Sequence, residues 1–317
     1  MGGEGEQRAA VPTVPFPLVV GARRSGLGLL QAMLDSHPSL AVPLGAHAVL
    51  LSAVAAPGQP FQWRTYLDDL FPQPGLTSWR THRVGVERSM ETDPPTNLSE
   101  GARRVLAVVA QERGGKPSYG AVLASHPREL GEVAAAFPEA RVVHLLRDGR
   151  DLAASVMELG WADGIERAAL EWRERVRTVR RAGKRLGVGR YHEVRYEDLV
   201  VTPEVTLRLL CADLELPFAR TMLDHRASAA RAAKAGGRPH ENRFVTHRLM
   251  PALRDWRRDL PRNAIERFEA LAGDLLSELG YELRSPRHRL RRPWLATRRD
   301  WLGWHREHFR GRNRNRN

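Results

Sequence analysis

Glycines and arginines stand close together near the start of the chain, in the stretch GARRSGLG that begins at Gly21. An apolar run, Phe16–Val20, precedes this stretch, and the residues that follow it up to Leu34 place their leucines on one face of a helix. The first amides of a helix lack internal partners and carry the positive end of its dipole, and glycines let an anion approach the backbone. The strand, loop and helix therefore predict an anion cradle, to which Arg23 and Arg24 add positive charge.

The order of residues in this loop separates it from two common nucleotide-binding loops. A Walker A loop has four residues between two glycines and then Lys with Ser or Thr, and a dinucleotide-binding loop reads Gly-x-Gly-x-x-Gly. The residues from Gly21 to Leu29 fit neither pattern. A P-loop kinase or NTPase is therefore disfavoured, while a plain strand-to-helix turn with incidental arginines stays an alternative to the anion cradle.

A second set of polar residues follows another apolar run, Ala140–Leu146, which is predicted to be a buried strand. Arg147 comes directly after it, and Asp148 and Asp151 suit the N-cap and the first turn of a helix. Ser155 lies one helical turn beyond Asp151 and can point toward the same end as Arg147. This pattern predicts a second anion site, with a capping salt bridge as the alternative.

A histidine follows a shorter apolar run. Leu40–Pro43 is predicted to be a strand, and His47 comes four residues after it. Ligands in open α/β sheets gather beyond the carboxyl ends of strands, and imidazole titrates near neutral pH. His47 is therefore a candidate for proton transfer, although a lone histidine also fits a structural role.

The elements that must position these residues alternate along the chain. Strands are predicted at Phe16–Val20, Leu40–Pro43, Ala140–Leu146 and Tyr191–Tyr196, and helices lie between and after them, including Ile165–Leu186 and one that begins at Thr202-Pro203. This order is typical of an α/β fold with a doubly wound parallel sheet. Six prolines divide residues 57–100 into short helices and loops, which we expect to lie over a pocket. Residues 227–248 either fold over a bound nucleotide or form a surface loop.

Composition and charge narrow the class of protein. The 317 residues are 42% hydrophobic, and no apolar run reaches the roughly 18 residues of a membrane span. The N-terminus lacks the basic and apolar regions of a signal peptide, so a cytoplasmic protein is expected. The single cysteine, Cys211, excludes disulfide frameworks and cysteine metal sites and is expected to be a buried thiol.

The net charge of +13 lies mainly at one end of the chain. Residues 284–317 hold twelve arginines and two acidic residues, a balance of +10 that leaves +3 for the rest. The positive charge therefore belongs mainly to a tail and not to a basic face of the fold, which disfavours nucleic acid as a partner.

In its motifs and in the order of its predicted elements, the sequence resembles the bacterial branch of the sulfotransferases that use 3′-phosphoadenosine 5′-phosphosulfate (PAPS). Gly21–Leu30 looks like the family's 5′-phosphosulfate loop, G-x-x-R-S-G-T-T-L-L, and Leu145–Ser155 looks like its 3′-phosphate motif, L-x-R-D-G-R-D-x-x-x-S. Val194–Leu199 and Arg254–Leu260 are similar to two further family segments. The resemblance implies a three-layer α/β fold with a central parallel sheet, of the P-loop NTPase-like sulfotransferase type.

The family's functional residues carry over to positions in this chain. Arg24 would bind the 5′-phosphosulfate and neutralise the leaving phosphate, helped by Arg23 and by backbone amides of Ser25, Gly26, Leu27, Gly28 and Leu29. Arg147 and Ser155 would hold the 3′-phosphate, and Tyr196 would reach the adenine. The cofactor would be PAPS, with 3′-phosphoadenosine 5′-phosphate (PAP) as its product, and no metal would be needed.

Two positions depart from the family pattern. Leu27 and Gly28 replace the paired threonines, and the segment that usually reads P-G-E-P-H places Gly45 where a glutamate is expected as the general base. A base must lie within about 3 Å of the acceptor proton or reach it through one water. Glycine cannot do this, so the resemblance leaves His47 as the nearest substitute, with His82 and His126 as rivals.

Two functions from different classes fit these features. The first is an enzyme that moves a sulfuryl group from PAPS to a hydroxyl or amine of a small molecule or glycan. The second is a non-catalytic nucleotide-binding or interaction protein with a degenerate sulfotransferase site. A histidine or carboxylate in the pocket beside the phosphosulfate would favour the enzyme.

The chain is expected to divide into a disordered N-terminus, 1–14, a sulfotransferase-like domain, 15–283, and a basic C-terminal tail, 284–317. The tail contains Trp294 and Trp301, which are seven residues apart and share a helix face, so part of Pro293–Phe309 is expected to be helical. Four roles stay open for the tail, which are docking on the catalytic body, docking on a second subunit, contact with anionic lipid and contact with an acidic polymer. Arg310–Asn317 is expected to be disordered.

Overall fold

The central strand of the fold is β1, Phe16–Gly21, whose residues are all buried. In the computed structural model, which describes residues 15–54, 60–123, 129–234 and 255–284, β1 pairs in parallel with β5, Ala140–Leu146, and with β4, Ala121–Leu123. A further strand, β6, Tyr191–Arg195, extends the sheet beyond β5, and the order is β4-β1-β5-β6. Parallel strands are covered on both faces, which explains why β1 and β5 are continuous apolar runs.

Two shorter strands form a separate parallel pair beside this sheet. They are β2, Leu40–Ala41, and β3, Ser118–Tyr119, and Gly120 donates its amide to the carbonyl of Ala41 at 2.7 Å. The predicted strand at Leu40 is confirmed, but it lies outside the four-stranded sheet. Neither β3 nor β4 was predicted, because two or three residues are too few to show a period.

Helices cover both faces of the sheet. Their bounds are α1 Leu27–Asp35, α2 Ala46–Ser52, α3 Trp63–Leu70, α4 Arg83–Thr92, α5 Leu98–Glu112, α6 Leu130–Ala136, α7 Gly149–Glu158, α8 Ile165–Lys184, α9 Tyr196–Val201, α10 Pro203–Asp213, α11 Arg226–Lys234, α12 Trp256–Asp259 and α13 Arg262–Glu278. One face carries α1, α9 and α10, which pack on residues such as Val19 and Val143, and the other carries α2–α5 and α8, which pack on residues such as Leu18 and Val142. The three-layer α/β fold with a central parallel sheet is therefore confirmed.

The predicted helices agree with the observed ones where the pattern was long. The stripe of Trp172, Val176 and Val179 is buried along α8, and Thr202 precedes Pro203 at the start of α10 as predicted. The proline-rich region forms α3, a 3-10 helix at Pro74–His82 and α4 in its described part. Cys211 is buried in α10, and burial raises the pKa of its thiol to about 11.

None of the described helices combines the length and apolar character needed to cross a bilayer. The described residues also contain no group of three or more His, Cys, Asp or Glu side chains that could hold a metal ion.

A buried arginine joins the start of α7 to α12 and α13. Arg150 donates to both carboxylate oxygens of Asp148, at 3.0 and 2.7 Å, and to Glu269 of α13 at 2.6 Å. Its guanidinium also lies 3.6 Å from the ring centroid of Trp256 in α12. Arg150 and Glu269 are each 1% exposed. Two carboxylates and one aromatic ring therefore surround this cation, and they fix α12 and α13 against the end of β5.

Replacing Glu269 by Gln removes one charge from this cluster. The Glu269→Gln variant is expected to lose about 3 kcal/mol of its free energy of unfolding, because Arg150 is then only partly paired in a buried site. The matched control is Glu266→Gln on the same helix, since Glu266 pairs with Arg262 at the surface, where a salt bridge contributes at most about 1 kcal/mol. Urea denaturation measures both. Equal losses in the two variants would contradict the role given to the buried cluster.

Candidate functional site

The loop between β1 and α1 has the backbone shape of an anion cradle. Arg24 and Gly26 both have left-handed φ angles, +72° and +100°. The amide of Ser25 donates to Ala22, and the amides of Leu29 and Leu30 donate to the carbonyl of Gly26. The three amides between them, from Gly26 to Gly28, have no partner among the described residues. An anion that binds at a helix N-terminus accepts hydrogen bonds from amides of this kind.

The side chain of Ser25 adds a hydroxyl to this cradle. Its Oγ is buried and makes no hydrogen bond to any described residue. Buried polar groups in proteins are hydrogen-bonded in the great majority of cases, so an orphan of this kind indicates a missing polar partner. Its position in the loop fits a bound oxyanion.

Tyr196 and Arg147 lie directly against the loop. A Cβ atom on Gly26 would come within 2.3 Å of Cδ2 of Tyr196, so the ring rests on the glycine backbone. The guanidinium of Arg147 lies 4.4 Å from the Tyr196 ring centroid, and its Nη1 donates to the carbonyl of Arg24 at 3.0 Å. The Nε atom of Arg147 is buried and has no partner among the described residues. The ends of β1, β5 and β6 therefore meet at one place.

The second predicted anion site is joined to the first through Ser155. The Nε atom of Arg24 donates to Oγ of Ser155 at 3.1 Å. The sequence predicts Ser155 beside Arg147, and in the structure its hydroxyl accepts a hydrogen bond from Arg24. The loop arginines also lie over Trp161, with the guanidinium of Arg23 at 4.1 Å from its ring centroid and that of Arg24 at 6.0 Å. Trp161 was not among the predicted site residues, since one aromatic in a turn carries no sequence signal.

The candidate bases have different surroundings. His47 lies in the first turn of α2, where its ring approaches Gly75, because a Cβ atom on Gly75 would be 3.8 Å from Cε1 of His47. The Nδ1 atom of His82 lies 2.5 Å from the carboxylate of Glu112 at the end of α5. His126 lies outside the described residues.

The structure also explains the glycine at the position of the expected glutamate. Gly45 has a φ of +93°, and a Cβ atom there would be 2.4 Å from the carbonyl oxygen of Gly75. No side chain fits this position without moving the backbone, whatever its chemistry. A carboxylate base is therefore excluded at residue 45 in this backbone.

Several residues that support Arg147 were missed by the sequence analysis. The indole of Trp172 donates to the carbonyl of Arg147 at 3.2 Å, and the amide of Asp148 donates to Glu197 at 2.9 Å. The hydroxyl of Tyr281 donates to the other oxygen of Glu197 at 3.2 Å. Each partner is distant in sequence, so only the folded chain brings them together.

Asp151 connects the first turn of α7 to α12. It accepts a hydrogen bond from the amide of Trp256 at 2.7 Å. Burial raises the pKa of Asp151 to about 6; Arg147 opposes this rise, and the carboxylates of Asp148 and Glu197 add to it. The protonation of this carboxylate therefore changes around pH 6, four residues after Arg147.

Comparisons with known proteins agree with this geometry. The profile of the sulfotransferase family matches residues 15–220. Protein-tyrosine sulfotransferase 1 of Danio rerio is 24% identical over 289 residues, covering 85% of this chain and 73% of the relative. Protein-tyrosine sulfotransferase A of Caenorhabditis elegans is 23% identical over 279 residues, covering 85% and 68%.

Two solved structures share the fold. The sulfotransferase domain from the curacin biosynthetic pathway is 19% identical, with a TM-score of 0.59, and the match covers 85% of this chain and 99% of that domain. The sulfotransferase domain of the olefin synthase from Synechococcus PCC 7002 is 23% identical, with a TM-score of 0.56, and the match covers 86% and 97%. At these identities the likeness concerns the fold.

The raised pKa of Asp151 predicts a pH-dependent stability that Asp151→Asn removes. Between its ordinary pKa of 3.8 and the native value of about 6, the folded protein binds this proton more tightly than the unfolded chain does. Ionisation of Asp151 therefore lowers the stability of the wild type as pH rises through this window. Asparagine keeps an oxygen for the Trp256 amide and does not ionise.

Denaturant titrations between about pH 4 and about pH 7 measure this effect. The stability of Asp151→Asn relative to the wild type is expected to rise from pH 4 to 6 and to level off above that. A difference that stays constant with pH would show that Asp151 titrates normally.

Proposed function

This chain belongs to the sulfotransferase family, whose members take the sulfuryl group from PAPS, and we propose that its acceptor is a hydroxyl or an amine of a small molecule or a glycan. The observation that supports the site most directly is the pair of buried polar atoms without described partners, Oγ of Ser25 and Nε of Arg147. Both lie at the glycine loop, where the two phosphate-bearing ends of PAPS need donors. The tyrosine hydroxyl of a protein is a second candidate acceptor, because the relatives named above are protein-tyrosine sulfotransferases.

The glycine loop would hold the 5′-phosphosulfate. The amides of Gly26, Leu27 and Gly28 and the hydroxyl of Ser25 point to an anion there, whereas the amides of Ser25 and Leu29 already donate within the loop. Leu27 and Gly28 thus keep their backbone donors, although they lack the hydroxyls of the threonine pair. Leu29 contributes by closing the first turn, and Arg23 contributes charge.

Arg24 would stabilise the charge that grows on the leaving phosphate. PAPS supplies an activated sulfuryl group whose transfer leaves PAP as the product. In such an in-line transfer, catalysis is mostly positioning and electrostatic stabilisation. The hydrogen bond from Arg24 to Ser155 holds its guanidinium in place beside the loop, so that little reorganisation is needed during transfer.

Arg147, Ser155 and Tyr196 would hold the nucleoside end. The buried Nε of Arg147 is available to a 3′-phosphate, and Ser155, which accepts from Arg24, still has its own proton to donate. The Tyr196 ring, already packed on Gly26, would reach the adenine. One nucleotide would therefore engage both predicted anion sites at once.

His47 is proposed as the general base that takes the acceptor proton. Gly45 has no side chain, and the contact with Gly75 excludes a glutamate there. The same observation favours the second candidate function, a nucleotide-binding protein without transfer activity. Measured transfer separates the two.

The proposed 3′-phosphate site predicts that PAP binds more tightly than AMP. A charge-assisted hydrogen bond contributes about 1.5 to 3 kcal/mol, which corresponds to a preference of roughly 10-fold to 150-fold. Arg147→Gln should remove most of this preference, while Arg181→Gln, an exposed arginine on α8, should leave it unchanged. Calorimetric titrations with both nucleotides measure it. Equal affinity of the wild type for PAP and AMP would overturn the assignment.

The proposed base predicts a separation of turnover from nucleotide binding. His47→Ala should lower kcat by roughly 100-fold to 10,000-fold, the usual contribution of a general base, and leave the Kd of PAP unchanged. Arg24→Ala should weaken both, because Arg24 contacts the donor. Radiolabelled PAPS, offered with phenols, tyrosine peptides and glycans, identifies an acceptor and then measures kcat. An unchanged kcat in His47→Ala would assign the proton to another group.

A further inference from the structure

One peptide group just after β5 is held at both ends by side chains from other helices. The carbonyl of Arg147 accepts a hydrogen bond from Nε1 of Trp172 at 3.2 Å. The amide of Asp148, which belongs to the same peptide group, donates to Oε1 of Glu197 at 2.9 Å. Trp172 lies on α8 and Glu197 on α9. The two side chains therefore fix the plane of this peptide.

The orientation of this peptide determines how β5 and α7 are placed relative to each other. Arg147 follows the last residue of β5, and Asp148 caps α7, because its side chain accepts from the amide of Arg150 at 2.9 Å. The peptide between them joins the strand that carries Arg147 to the helix that carries Ser155. A rotation of its plane would move these two side chains relative to each other, and both are proposed ligands of the 3′-phosphate.

The indole that holds the carbonyl end is packed against the start of α7. Trp172 is buried, and its ring centroid lies 5.8 Å from that of Phe268 in α13. A Cβ atom on Gly149 would lie 2.5 Å from Cδ2 of the indole. The glycine after Asp148 therefore lets the indole approach the peptide, and the packing holds its N–H in one direction.

The carboxylate that holds the amide end is oriented by the segment after α13. Oε2 of Glu197 accepts from the hydroxyl of Tyr281 at 3.2 Å. The Tyr281 ring lies 4.3 Å from the guanidinium of Arg195, whose Nη1 donates to the carbonyl of Leu279 at 3.2 Å. Tyr281 lies beyond residues 15–220, which match the family profile. A segment outside that match therefore reaches the end of β5 through one carboxylate.

The charge of Glu197 does not explain its place beside an anion site. A carboxylate bonded to the residue after Arg147 opposes the binding of a phosphate there, because like charges repel. As a hydrogen-bond acceptor, however, a carboxylate holds an amide more strongly than a neutral oxygen does. Positioning and charge thus act on phosphate binding in opposite directions, which makes them separable by experiment.

We propose that Glu197 and Trp172 are positioning residues, which hold the Arg147–Asp148 peptide so that Arg147 and Ser155 converge on the 3′-phosphate of the nucleotide. The two residues thereby set the preference for a nucleotide with a 3′-phosphate over one without it. This inference rests on the proposed function, which assigns Arg147 and Ser155 to that phosphate.

Calorimetric titrations of Glu197 variants with PAP and AMP separate positioning from charge. Glu197→Ala removes the acceptor, so PAP should bind roughly tenfold more weakly or worse, while AMP binds as in the wild type. Glu197→Gln loses the charge but keeps an oxygen for the Asp148 amide, so it should bind PAP at least as tightly as the wild type. Asp198→Ala, which removes an exposed carboxylate from the next position of α9, is the matched control and should leave both affinities unchanged.

Trp172→Phe tests the other end of the peptide, because it removes the indole donor and keeps an aromatic ring. The preference for PAP over AMP should fall roughly twofold to tenfold, the range of one neutral hydrogen bond. Val176→Ala, one turn further along the buried stripe of α8, is the matched control. It should lower the Tm by creating a cavity and keep the wild-type preference. An equal loss of preference in Val176→Ala would contradict the role of Trp172.

Two results for Glu197→Ala would overturn the proposal. Unchanged or tighter binding of PAP would show that Glu197 acts through its charge alone, and equal weakening of PAP and AMP would show that it only stabilises the fold.

A wild type that binds PAP no more tightly than AMP contradicts the proposed function separately. Amide hydrogen exchange in the free protein then still tests the positioning. The Asp148 amide should exchange faster in Glu197→Ala than in the wild type, and Glu197→Gln should restore its protection. Equal exchange in the wild type and Glu197→Ala would show that Glu197 does not hold the peptide.

Discussion

The site depends on how closely Tyr196 approaches the backbone at Gly26. The left-handed φ of +100° at this glycine turns the chain so that the next amides point outward from the start of α1. Because Gly26 has no side chain, the tyrosine ring can rest on the loop. A Cβ atom at this position would lie only 2.3 Å from Cδ2 of the ring. The guanidinium of Arg147 also stacks on that ring, 4.4 Å from its centroid. One small residue thus joins the ends of three parallel strands.

Much of this arrangement is local in sequence, and such parts could be predicted. The run from Phe16 through the loop to the end of α1, and the run from Ala140 through the N-cap Asp148 to the end of α7, each carry their strand, turn and helix within about 20 residues. Parallel pairing brings the two runs together without further information. The short strands β3 and β4 could not be predicted, because their register depends on β2 and β1.

The contacts that support the site could not be predicted from the sequence, for a different physical reason. Arg150 meets Glu269 across 119 residues, and Glu197 meets Tyr281 across 84. Nothing in the local pattern distinguishes Arg150 from any exposed arginine on a helix. Its burial follows from the packing of α13 on α8, which also determines where Trp256 lies. The contact between Ser155 and Arg24 was missed for a similar reason. Helical spacing predicts where Ser155 lies along α7, but it does not predict which arginine, Arg24 or Arg147, the hydroxyl contacts.

Arginine has two different environments around this site, and the number of nearby carboxylates separates them. Arg150 has two carboxylate partners and stabilises the fold. Arg147 has a carbonyl and an aromatic ring, with one donor left over. A buried guanidinium donor without an acceptor is costly, so Arg147 gains more than Arg150 when an oxyanion binds. The fold offsets the cost of Arg147 through its paired ions and its core, and positive charge is left at the loop, where a nucleotide with two anionic ends would lie.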